Sequence, residues 1–123
     1  MEHNAIGWFE IYVQDLERAR NFYEGVLDVR LERLAGPDFE VWAFPSKEGA
    51  LGASGALLKI EGMPSGGNST LVYFICEDCA LEEGRVAPNG GKVHREKMSI
   101  GPYGFVSLAV DTEGNMFGLH SMK

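Results

Sequence analysis

Apolar and polar residues alternate strictly from Ile6 to Val13, with Phe9, Ile11 and Val13 on one side and Trp8, Glu10 and Tyr12 on the other. A two-residue period marks a strand whose faces meet different surroundings. The period then changes. Leu16, Ala19, Phe22, Tyr23 and Val26 recur at helical spacing behind Asp15, whose carboxylate suits an N-cap, and predict a helix running to about Gly25. Three strands follow, over 29–34, 39–44 and 56–60, with Gly36-Pro37 as a turn, Pro45 as a stop and a loose stretch at 52–55.

Residues 61–68 hold three glycines and a proline and read as a linker. The pattern then restarts. A strand over 70–76 leads to Asp78, which can cap a short helix to about Ala87, closed by Pro88-Asn89-Gly90-Gly91. Strands are expected over 92–97, 103–110 and 116–120, with a loop at 99–102 and a tight turn from Asp111 to Asn115. The order strand, helix, three strands therefore occurs twice, a structural repeat of about 55 to 60 residues. Half of such a chain buries too little surface to be stable alone. The expected fold is α+β: one domain over 1–123, made of two βαβββ modules at about 1–62 and 68–123. Their curved sheets would surround a cleft, with the helices on the outer faces.

At 123 residues the chain fits one domain, and 45% hydrophobic with 24% charged residues allows both a core and a wetted surface. A net charge of −7 argues against nucleic acid as a partner, because that surface needs clustered cations. The densest basic group, Lys92, His94, Arg95 and Lys97, reads as a solvated strand face. No apolar run approaches a membrane span, and no signal peptide is visible, so the cytoplasm is the expected location. Cys76 and Cys79 stand in C-x-x-C spacing without a second pair. The spacing suits a redox pair near a helix N-terminus or half a zinc site, and a buried small hydrophobe is the simpler reading of Cys76 at the end of an apolar run.

Two stretches carry a family resemblance. The opening run Trp8-Phe9-Glu10-Ile11-Tyr12-Val13-Gln14-Asp15-Leu16-Glu17-Arg18-Ala19 with Phe22-Tyr23 resembles the start of a domain of the glyoxalase / bleomycin-resistance / dioxygenase superfamily, the vicinal oxygen chelate proteins. The close, Asp111-Thr112-Glu113-Gly114-Asn115 followed by Gly118-Leu119-His120-Ser121, resembles its last hairpin, and Gly90-Gly91-Lys92-Val93 its entry to the strand after the second helix. The resemblance spans nearly the whole chain and is specific for fold. It is weak for reaction, because lyases, isomerases, dioxygenases and metal-free drug-binding proteins share the superfamily. Phe22 and Tyr23 have a structural role available in burying aromatic area under the first sheet. Gly114 and Asn115 suit a turn that needs positive φ.

The resemblance also implies a metal site, with one His, Glu or Gln from the first, fourth, fifth and eighth strands. Carried over by the flanking motifs, those positions fall on Trp8, near Leu58, near Leu71 (or Thr70) and on Gly118. None of Trp, Leu or Gly offers a side-chain donor to a cation. No cofactor is therefore expected, and a divalent metal stays open only at a displaced site. Glu10 and His120 lie two residues from Trp8 and Gly118, on the same strand faces. If the strands approach as the family's do, the two side chains meet. A displaced metal site, an acid–base pair in which Glu10 orients His120, and a solvated Glu beside a satisfied His remain open.

The remaining aromatics suggest a lined cavity: Trp8, Tyr12, Trp42 with Phe44, Tyr73 and Phe105. The leading expectation is metal-independent binding of a small, planar or partly aromatic organic ligand. The alternatives are a glyoxalase-like lyase or isomerase, or a dioxygenase, working through Glu10 and His120, and an accessory domain with a collapsed cavity. A homodimer is expected because proteins of this fold often complete their cleft across two chains.

Overall fold

The computed structural model describes residues 2–35 and 40–123. The expected Gly36-Pro37 turn and the first residue of the strand after it lie outside them. Strand β1 covers Phe9–Tyr12 and runs parallel to β4, Gly55–Leu58, with Phe9 opposite Gly55 and Tyr12 opposite Leu58. It is shorter than the alternation from Ile6 suggests, because β4 begins only at Gly55 and offers nothing earlier to pair with. β4 continues through β3, Val41–Ala43, to β2, Glu32–Leu34, giving a sheet of order β1-β4-β3-β2. The second module repeats this arrangement. Its strands β5 (Tyr73–Ile75), β6 (Lys92–Ser99), β7 (Phe105–Val110) and β8 (Met116–Ser121) are ordered β5-β8-β7-β6.

Helix α1 spans Leu16–Leu27, and the Asp15 carboxylate accepts the Arg18 N–H at 3.0 Å as predicted. The helix passes Gly25 and ends at Asp28, the one non-glycine residue with positive φ (54°) among the described residues. Gly25 is a contact point here: a Cβ would sit 2.0 Å from the Asn89 Oδ1. Helix α2, Cys79–Val86, is capped by Asp78, whose carboxylate accepts the Ala80 N–H. Neither helix is long and apolar enough to cross a membrane.

The α+β class and the duplicated βαβββ order are as read from the sequence. The helix-bearing faces of both sheets share one core. Ile11, Phe22, Tyr23, Phe44 and Leu57 of the first module are buried with Val86, Phe117 and Leu119 of the second. Edge-to-face and tilted ring pairs cross between modules, with Phe9–Phe74 at 5.9 Å, Phe44–Phe74 at 5.4 Å and Tyr23–Phe117 at 5.4 Å. The helix-free face of the first sheet has its own cluster, Ala43, Ala56 and Leu58 under Tyr12, Val41 and Ile60, with no member from the second module.

Polar groups fix the modules to each other. The β7–β8 turn reaches across to the start of α1. There Glu113 accepts the backbone N–H groups of Gln14 and Asp15 and two bonds from the Arg18 guanidinium, at 2.7 and 3.0 Å. An anion at a helix N-terminus also meets the positive end of the helix dipole. Asp111 takes the Tyr23 hydroxyl at 2.6 Å and the N–H groups of Glu113 and Asn115. Only Gly114 in this turn has positive φ (82°). Asn115 serves through its side chain, which donates to the Tyr12 carbonyl and accepts the Gly66 N–H.

Candidate functional site

β1 and β5 are edge strands of their own sheets, and the space between them opens into a cavity of about 630 Å³. Trp8 and Phe9 line one wall and Leu71, Tyr73, Phe74 and Ile75 the opposite one. The N-terminal arm at 4–6 and the loop at 52–54 close the sides, and the end of α1 contributes Leu27 and, just beyond it, Val29. Phe9, Phe44 and Phe74 belong at once to the cavity wall and to the shared core, so the floor is built of rings already fixed by packing. Most of the lining is apolar. The Ser54 hydroxyl is directed to the Phe44 and Pro45 carbonyls. Glu82 of α2 is the sole Asp, Glu, Lys, Arg or His among the described lining residues.

Glu82 had no place in the sequence reading, although a signal for it was present. Cys79 and Val86 are the buried positions of α2, and helical spacing puts Glu82 and Glu83 on the same stripe. Acids on a buried stripe require partners. Glu83 has them, accepting the Ser107 hydroxyl at 2.8 Å and the Lys97 N–H. Glu82 is less well supplied. Its Oε1 is buried with no hydrogen-bond partner, and its Oε2 lies 3.7 Å from an Arg85 nitrogen. Arg85 is engaged elsewhere, donating to the Val26 carbonyl at 2.8 Å. Burial first, and the Glu82 carboxylate second, push the Cys76 thiol up to about 12. Cys76 and Cys79 are both buried and free.

The structure distributes the expected site residues over different surfaces. Trp8 and Tyr73 stand on opposite walls of the cavity, partly exposed. Tyr12 shares the face of Trp8 but packs over Leu58, away from the cavity. Trp42 and Phe105, expected in the cavity, do not line it. Trp42 pairs in register with Leu57, a core residue, so it projects to the helix-bearing face, where the Arg20 guanidinium lies 4.1 Å from its ring. Phe105 is opposite Ser121, on the face covered by α2, with the Lys97 ammonium 4.8 Å from its ring. A one-residue error in register reverses a strand's faces, and the short β3 gave no long alternation to fix it.

Glu10 and His120 are not joined to each other by a hydrogen bond or ion pair. The Glu10 carboxylate accepts the Trp8 indole N–H at 3.3 Å, on the first sheet. The His120 Nε2 lies 2.7 Å from the Tyr103 carbonyl, on the second. At the four positions where the resemblance implies metal ligands, Trp8 and Leu71 face the cavity and Leu58 is buried. Gly118 lies beneath the Tyr73 ring, 2.3 Å from where its Cβ would be. These residues supply no nitrogen or oxygen side-chain donor, so they do not fit a resident cation. Among the described residues no three His, Cys, Asp or Glu side chains gather in a way that could hold one.

The profile of the Glyoxalase/Bleomycin resistance protein/Dioxygenase superfamily matches residues 5–119. The chain belongs to this superfamily. Several solved structures share its fold. A glyoxalase/bleomycin resistance protein from Albidiferax ferrireducens is 19% identical, with 94% of this chain and 98% of that one covered and a TM-score of 0.70. TnmS3, an antibiotic binding protein from Streptomyces sp. CB03234, is 22% identical, with 98% of both chains covered and a TM-score of 0.69. Glyoxalase I from Zea mays is 20% identical with a TM-score of 0.72, but 94% of this chain covers only 45% of that enzyme. No functionally curated protein matches the chain. At these identities the superfamily likeness speaks for fold alone.

Proposed function

We propose that this superfamily member binds a small organic molecule, partly aromatic or planar, in the cavity between β1 and β5, without a family-type metal. The observation that carries this is the replacement of ligand chemistry by contact surface. Trp8 and Leu71, at two of the implied metal positions, form opposite walls of a space of about 630 Å³. That volume lies within the roughly 300–1,000 Å³ of ordinary small-molecule sites, and apolar walls with one or two polar groups are their usual composition. The floor rings are held in the core, so little order is lost on binding. The description of TnmS3 as an antibiotic binding protein supports the reading, because it puts small-molecule capture within the reach of this fold.

The test is a titration of isotope-labelled protein with 1-naphthalenemethanol, followed by the two indole N–H resonances. The Trp8 signal moves saturably while the Trp42 signal, on the helix-bearing face, stays in place. Absence of any saturable shift at Trp8 defeats the reading. Calorimetry with zinc, nickel or manganese addresses the metal. Tight cation binding abolished by Glu10→Ala would restore a displaced metal centre at Glu10 and His120, and with it the lyase or dioxygenase alternative.

The same proposal includes a homodimer. Leu34 on the first sheet's helix-free face, and Tyr73, Ile75 and Met98 on the second's, keep 37–62% of their surface exposed, and an apolar face of that kind is what a second copy would cover. Sedimentation at micromolar concentration showing only monomer counts against it.

A further inference from the structure

We infer that the cavity selects a cationic ligand, an aromatic or alkyl amine, amidine or guanidine, and that Glu82 is its counter-charge. This rests on the proposed reading of the cavity as a binding site. Four observations lead to it. First, the described lining contains one charged side chain and that side chain is acidic. An anionic ligand would lose its hydration and find no Lys, Arg or His to replace it. Second, the Glu82 Oε1 is buried and has no hydrogen-bond partner, while Arg85, the nearest cation, stands 3.7 Å from the other oxygen and spends its Nε on the Val26 carbonyl. A carboxylate so short of donors is costly, and the Glu82 side chain keeps 15% of its surface exposed, through which a ligand N–H can approach the group and remove that cost. Third, Trp8, Phe9, Phe74 and Tyr73 place four aromatic rings around the same space. Aromatic faces attract ammonium and guanidinium groups and contribute nothing comparable for carboxylates or phosphates. Fourth, the net charge of −7 draws cations toward the molecule and slows the approach of anions.

Asn4, Ser54 and Thr70 also line the wall but carry no charge, so selection by charge falls to Glu82. The Ser54 hydroxyl is already directed to two carbonyls, at 2.9 and 3.0 Å, so its proton is not free for a ligand acceptor. The arrangement therefore discriminates by charge more than by shape. A neutral aromatic gains the ring contacts and at most hydrogen bonds from an uncharged donor, and a matched cation adds to the ring contacts a charge-assisted bond to Glu82.

Three probes of one shape separate this inference from the reading beneath it: 1-naphthylmethylamine as the ammonium, 1-naphthalenemethanol, and 1-naphthoate. Binding is followed at the Trp8 indole N–H. The ammonium is expected to bind at least about tenfold more tightly than the alcohol, a typical yield of one charge-assisted hydrogen bond, and the carboxylate more weakly than either. Added salt weakens the ammonium and leaves the alcohol nearly unchanged. In Glu82→Gln, which keeps size and shape, the ammonium falls to the level of the alcohol, and the alcohol's continued binding in that variant reports an intact cavity. Equal binding of ammonium and alcohol to the parent protein overturns the inference while leaving a neutral-ligand cavity standing. So does an ammonium preference that survives Glu82→Gln. If none of the three probes moves Trp8, the cavity reading and this inference fall together.

Discussion

Replacing Glu113 by Gln tests the lock between the modules most directly. The side chain of Glu113 is wholly buried and receives two backbone N–H groups, two guanidinium bonds and the Thr112 hydroxyl. Burial alone would raise its pKa. The donors, Arg18 first, outweigh burial and hold it at about 2 against an ordinary 4.5. At about 1.4 kcal/mol per unit, the charged form is favoured in the folded protein by roughly 3 kcal/mol. Gln keeps the shape but behaves as the protonated acid does. It can still accept the backbone bonds, while its amide group is set against Arg18. Arg18 is half exposed and regains water, so the loss stays below that of a fully buried pair, and a cost of about 2–3 kcal/mol at neutral pH follows. The sign of the pH dependence is fixed by the depressed pKa. The contribution is complete above the unfolded value of 4.5 and disappears as pH falls through the folded value of about 2. The gap between parent and Glu113→Gln should therefore close over that window. Asp111 works in the opposite direction, since burial raises its pKa, but it is present in both proteins and cancels from the difference. Urea unfolding of both proteins along a pH series measures the gap. A neutral-pH difference under about 0.5 kcal/mol, or a gap that persists unchanged to the acid limit, refutes the reasoning.

Three further outcomes follow from the same contacts. Tyr23→Phe removes the donor 2.6 Å from Asp111 and leaves a buried carboxylate less satisfied; thermal or urea unfolding should show a loss of about 1–3 kcal/mol. Gly91→Ala puts a Cβ 2.6 Å from the Val110 carbonyl oxygen and 2.5 Å from the Phe22 ring, so the strand entry must shift, and a destabilisation of about 2 kcal/mol or more should appear in the same assay. Cys76 and Cys79 should resist a disulfide exchange reagent at mildly alkaline pH, because both are buried and the Cys76 thiol is pushed up to about 12. Both should react at once in denaturant, and rapid labelling of the native protein would contradict the described burial.

What could be read in advance depended on whether one module or two determined the answer. The carboxylate caps at Asp15 and Asp78 and the Asp111–Asn115 turn are local and form where the residues indicate, while β1 forms over only the middle of its alternating run. The duplicated order of elements followed from them. The end of α1 was missed by two residues, because Gly25 answers to Asn89, a residue of the other module. The candidate site depended still more on such distant relations. Trp8 and Tyr73 border the cavity because β1 and β5, at or beside which they stand, mark the seam. Trp42 and Phe105 could not be assigned a face from strands with short or irregular pairing; β6 against β7 contains two register shifts. Glu82 is marked in the sequence only by its place on the buried stripe of α2, and its position beside the cavity depends on how that helix packs.

The segment joining the modules is not a tether. Gln14 donates to the Met63 carbonyl and the Ser65 hydroxyl, Ser65 donates to the Tyr12 carbonyl, and Asn68 bonds both Thr70 and Met116. The aromatic core and the Glu113 and Asp111 bonds hold the halves together at other places. Covalent continuity through this stretch is thus redundant with the surfaces it connects. Two fragments severed there would carry complementary faces sufficient to find each other, and a ligand trapped at their junction would act as a third component of the reassembly.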